Sequence, residues 1–176
     1  MKYPYFKIDR IMHGWINFRL GDNLLEASYF LNYDLPKKLI EKIINLIKNK
    51  SDEEWLYLQN EPGAEIMCID KTDNAVCFTC YDCKKESYEL DKRNESREQF
   101  CCTDKLFSIN IDTYDIIDSV VSEFSLYEDG NGRKLYEYHW GGFPIKEYNE
   151  IKSIALDIDS KNNNAIKMFC ASFLKR

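Results

Sequence analysis

Glycine and proline are scarce in this chain, 7 and 4 residues among 176, which leaves little room for glycine-rich phosphate loops. Histidine is scarcer still: His13 and His139 are the two present, little material for imidazole-based catalysis. An excess of positive charge is also missing. Lys and Arg number 24 against 30 Asp and Glu, a net charge of -6, so a general affinity for nucleic acid is not expected. No apolar run approaches the ~18 residues of a membrane span, and none follows Met1-Lys2-Tyr3-Pro4-Tyr5. Neither a membrane partner nor a secretory leader is expected.

What is present describes a folded, water-soluble chain. Apolar residues make up 44% and charged residues 31%, and the length suits a single α+β domain over 1–176. Seven cysteines, an odd number without a leader, imply the reduced thiols of a cytoplasmic protein rather than a disulfide frame. Aromatic residues are plentiful, with 12 Tyr, 10 Phe and 3 Trp. Most belong in the core, and a surplus of tyrosine suits a protein-binding surface.

The apolar pattern predicts an antiparallel sheet of five or six strands packed against three or four helices. Residues 11–20 and 24–33 alternate as two strands around Gly21-Asp22-Asn23, with Ile16, Phe18 and Leu20 inward and Leu25, Ala27, Tyr29 and Leu31 answering them. Asp34 caps a helix over 35–50 whose stripe is Leu35, Leu39, Ile40, Ile43, Ile44 and Ile47. Its five lysines read as a solvated face. Strands follow at 54–60, 64–70 and 75–82, joined through Glu61-Pro62-Gly63 and Thr72-Asp73-Asn74. The polar stretch 84–99 reads as a long loop, and 104–111 as a returning strand.

A helix over 112–127 turns Ile116, Ile117, Val120, Val121 and Phe124 inward and sets Asp112, Asp115, Asp118 and Glu123 on the opposite arc. Glu128-Asp129-Gly130-Asn131-Gly132 then reads as its cap and a turn. The stripe Ile145, Tyr148, Ile151 and Ala155 predicts another helix, broken at Asn162-Asn163-Asn164 before a short last one. The expected core comprises Ile16, Phe18, Leu39, Ile43, Val76, Phe78, Ile117, Val120, Phe124 and Ile151.

Three stretches have the residue types of a chemical site. Cys77-x2-Cys80-x2-Cys83 has zinc-like spacing, but it lies in a β-like run without glycine, where residues three apart face opposite sides. Buried thiols without metal are the expectation. The Asp129-Gly130-Asn131-Gly132 stretch fails as a calcium loop: aligned on Gly132, tyrosines 127 and 138 occupy its first and last ligand positions. His139, between Tyr138 and Trp140, reads as a packed ring, and His13 as part of the first strand. No catalytic, cofactor-binding or metal-ligating residue is therefore expected.

Charge is the remaining signal. Residues 112–130 hold six acids and no base, which accounts for the whole net charge, and the remainder is balanced at 24 of each sign. An acidic face steers and selects a basic partner. The candidate contact residues are Asp112, Asp115, Asp118, Glu123, Tyr127, Glu128 and Asp129, with Tyr88 as a further aromatic anchor.

Three short motifs carry a resemblance. Trp15-x2-Phe18-x2-Gly21, Glu61-Pro62-Gly63 and Trp140-Gly141-x-Phe143-Pro144, spread across 11–158, resemble a family of small, mostly uncharacterised bacterial cytosolic proteins. The overall type is similar to immunity proteins of polymorphic and contact-dependent toxin systems. The resemblance implies binding and blocking of a toxin domain, with no catalytic residues to carry over. A small-molecule-binding domain or enzyme with a non-contiguous site, and an adaptor, are the other classes open.

Overall fold

Ile16, Phe18 and Leu20 alternate within one strand, but the chain reverses inside the stretch 11–20 expected to be a single strand. The computed structural model describes residues 5–29, 33–60, 63–83 and 102–173, with side chains given for 104–160 of the last stretch. His13 and Gly14 both take positive φ, 52° and 77°. They form a two-residue hairpin loop of the type whose twist matches the flanking strands. Strand β1 (Phe6–Met12) thus pairs antiparallel with β2 (Trp15–Leu20), and His13 belongs to the turn rather than to a strand. After Gly21, β3 (Asn23–Ser28) completes the first sheet. It ends at Ser28, leaving Tyr29 outside the strand, and Leu31 lies outside the described residues.

Helix α1 (Leu35–Ile47) follows, with Asp34 accepting from the Lys37 amide and Pro36 in the first turn. It stops short of residue 50 because Asn49 turns left-handed and the Lys50 amide reaches back to the Asn45 carbonyl. Strands β4 (Glu53–Asn60), β5 (Gly63–Thr72), β6 (Ala75–Cys83) and β7 (Cys102–Asp112) then form a second antiparallel meander. One sheet of five or six strands is therefore corrected to two sheets, of three and four strands. The expected loop at 84–99 lies outside the described residues.

Helix α2 (Thr113–Ser125) is capped by Asp112, which accepts from the Tyr114 and Asp115 amides. The stretch expected to be a cap and turn instead opens helix α3 (Gly130–His139). Glycine is required there: a Cβ on Gly132 would lie 2.0 Å from the Leu126 carbonyl oxygen. Helix α4 (Ile145–Phe173) runs through Asn162-Asn163-Asn164, so the two expected last helices are one. Asparagine is a weak helix former rather than a breaker, and three in a row did not end this helix.

All ten expected core residues are buried, and the buried apolar side chains join one cluster. Helix α1 packs on β4, β5 and α4, while α2 packs on β1, β6, β7 and α4. The Phe6 ring of β1 stacks on Phe124 of α2 at 6.0 Å, which ties the first sheet to the helical layer. The lysines of α1 and its C-cap are not simply solvated. Lys42 reaches Glu54 at 2.9 Å, Lys48 reaches Glu150 at 2.7 Å and Lys37 reaches Glu147 at 3.8 Å. In the α4 stripe, Tyr148 and Ile151 are buried, but Ile145 is exposed.

Candidate functional site

The acids of residues 112–130 do not form one face. Asp112 is half committed to capping α2, and Asp118 is exposed. Glu123 is the main correction: it is buried, with its carboxylate beside the backbone of Ile8 in β1. Seven residues separate it from Ile116, close to two helical turns, so it stands over the apolar arc rather than opposite it. Burial raises its carboxyl above the ordinary glutamate range. Glu128 is paired with Lys152 at 2.8 Å and accepts from the Tyr148 hydroxyl at 3.1 Å, and the Lys152 contact lowers its pKa. Tyr127 is half-buried with its ring 5.6 Å from that of Tyr136, and burial raises its hydroxyl pKa. Asp129 is exposed at the start of α3. Tyr88 lies outside the described residues.

What the fold does assemble is an acidic end at the start of α2. Asp159 of α4 stands beside the Tyr114 hydroxyl as an acceptor, and it, then burial and the nearby Asp118 and Asp115 charges, raises the hydroxyl's pKa. Beside it is an open cleft of about 360 Å³ lined by Lys71, Asp73, Asn74, Asp112, Tyr114 and Ile158, among others. Carboxylates from the β5–β6 turn, α2 and α4 thus meet around one tyrosine. Asp73 and Asp159 carry no local signature in the sequence. Only the packing of α2 on α4 and the hairpin turn at 73–74 bring them to Asp112.

A second concavity lies on the outer face of β1–β3, about 400 Å³, lined by Arg10, Met12, His13, Trp15, Asn17 and Glu26. Cross-strand register sets Arg10, Asn17 and Glu26 in one row and Met12 opposite Trp15. The Asn17 amide donates to Glu26 at 2.8 Å. At the rim the chain's two histidines meet, 126 residues apart, with rings edge to face at 5.3 Å. The Gly14 amide donates to the His139 carbonyl at 2.7 Å, so the end of α3 is fastened to the β1–β2 turn. His139 is a packed ring as expected, also lying against Tyr138 at 4.8 Å.

The cysteines follow the strand phase. Cys77 lies near Thr79 and Ser108, whereas Cys80 faces the other way and donates to Glu65. Burial pushes the Cys68 thiol up to about 12 and the Cys80 thiol higher. A raised pKa disfavours the thiolate that a nucleophile or metal ligand needs. Among the described residues, no three His, Cys, Asp or Glu side chains are grouped to hold a metal ion, and no helix is long and apolar enough to cross a membrane.

No family model matches the chain, and no curated protein or solved structure matches it either.

Proposed function

We propose that this chain is a non-catalytic binding protein that blocks a basic protein partner, such as the nuclease domain of a bacterial toxin, inside the cytoplasm. One observation supports the reading: acids from three separate elements gather around Tyr114 beside an open cleft. A site that holds phosphates must be cationic, so an acidic surface competes for it by charge as well as shape. Tyr114 and Ile158 supply apolar contact within that charge. The contact set is accordingly narrowed to Asp112, Asp115 and Asp118 of the expected residues and extended by Asp73 and Asp159.

The test is capture of the toxin region encoded beside this chain, with association and dissociation followed separately. Replacing Asp115, Asp118 and Asp159 together by asparagine is expected to slow association at least tenfold at low salt and leave thermal unfolding unchanged. The wild-type association rate is expected to fall towards the variant's as salt rises. Equal rates for the two proteins at low salt would sink the proposal. The alternative of a small-molecule-binding domain is favoured by one observation, the cleft on the outer face of β1–β3.

A further inference from the structure

We propose that the cleft on the outer face of β1–β3 binds a small zwitterion, a free amino acid with an apolar side chain. The argument starts from charges that do not pair. In the neighbouring part of the same face, Asp9 is held by Arg19 at 2.6 Å and Lys7 at 3.4 Å. Arg10 and Glu26 are treated differently. They stand at the two ends of one cross-strand row with Asn17 between them. Among the described residues neither makes an ion pair: the Arg10 guanidinium touches the Met12 sulfur, and Glu26 accepts only the Asn17 amide.

The cleft therefore offers one cation and one anion, both exposed and separated by a neutral amide that steadies the anion. Strands lie ~4.8 Å apart, so the two ends of the row are about 10 Å apart at the backbone; Glu26 is held towards Asn17, and the long, exposed Arg10 side chain is free to swing to a ligand in the remaining gap. A carboxylate suits the Arg10 fork, and an ammonium suits Glu26. A ligand with a single charge would meet one partner and one repelling or idle group, so the balanced pair selects a molecule carrying both. Half-buried Trp15 and Met12 are neighbours across the strands and supply apolar wall for the ligand's side chain. The indole face also favours a nearby ammonium. The His13–His139 contact and the Gly14 bond to the His139 carbonyl hold the rim in place, so little ordering is left for binding. A cleft of about 400 Å³ lies within the range of small-molecule sites.

The inference does not depend on the acidic end, and its test uses the full chain. L-phenylalanine, L-methionine and L-leucine are titrated against the protein, with binding read from the Trp15 indole resonance, assigned with Trp15→Phe, and by calorimetry. Saturable binding is expected. It is expected to weaken at least tenfold for N-acetyl-L-phenylalanine, which lacks the ammonium, and for L-phenylalaninamide, which lacks the carboxylate. Arg10→Met and Glu26→Gln, exposed positions whose folding is checked by circular dichroism, are each expected to weaken the amino acid tenfold or more. Asp118→Asn is expected to change nothing. No saturable binding of any of the three amino acids, or equal binding of the singly charged derivatives, would overturn the assignment. Binding undiminished in both Arg10→Met and Glu26→Gln would place the ligand elsewhere and overturn it as well.

Discussion

On the outer face of β1–β3, Asp9 lies between Arg19 and Lys7, and Glu26 is held by Asn17. Around the start of α2, by contrast, Asp115, Asp118 and Asp159 surround Tyr114, and Lys71 is the cation lining the adjoining cleft. The first surface carries charges of both signs side by side. The second concentrates one sign, which the helix N-terminus and open solvent tolerate. A balanced surface recognises by pattern at short range, whereas a one-signed surface acts at a distance and is screened by salt.

Both surfaces hang on one core, and the largest expected effect comes from breaking it. Phe124 stacks on Phe6 beneath the first sheet and touches Phe143 of the α3–α4 connection at 6.0 Å. Phe124→Ala is expected to cost about 3–5 kcal/mol in denaturant unfolding and to weaken both surfaces together. Loss at one surface alone would show that the two do not share this core.

A smaller change separates them. The Trp140 indole donates to Asp34 at 3.1 Å, joining the end of α3 to the cap of α1 across 106 residues. Trp140→Phe keeps a ring against Tyr29 and deletes the donor. It is expected to cost about 1–2 kcal/mol, and hydrogen exchange is expected to quicken at the β1–β2 turn and the end of α3 but not around Tyr114.

Glu123 gives the smallest effect, of opposite sign. Its raised pKa means that the folded state holds the proton more tightly than the unfolded chain does. The ionised carboxylate therefore opposes folding above that pKa, and the penalty fades as pH falls through it. Glu123→Gln keeps the shape and a polar group beside Ile8 and removes the charge. Melting at pH 7 is expected to rise by a few degrees at most, with the gain over wild type shrinking as the solution is acidified. An unchanged melting point would show that this charge is not buried in solution.

Local pattern reached far into the fold and much less far into the sites. The strands β4, β5 and β6, the helices α1 and α2 and the ten core residues followed from apolar period and turn residues, because burial of a face imposes that period directly. Strand β1 lies outside the expected strands because the loop before β2 has only two residues and a single glycine as its signal, and the positive φ of both His13 and Gly14 places the reversal there. Helix α3 was missed because its apolar residues do not face the core: Leu135 and Tyr138 are exposed, and Tyr136 alone is buried on it.

Composition and spacing were enough for an antiparallel α+β architecture, for the opposite facing of Cys77 and Cys80, and for the concentration of charge after residue 111. Those properties depend on neighbours in the chain, and neighbours are what a sequence lists. Packing decided which acids remain outside: Glu123 went into the core, Glu128 went to Lys152, and Asp73 and Asp159 joined Asp112 from distant segments. It also brought His13 to His139 and placed Arg10 and Glu26 in one row. These contacts cross strands and helices whose order in space is set by how the whole core fills, which no local period encodes.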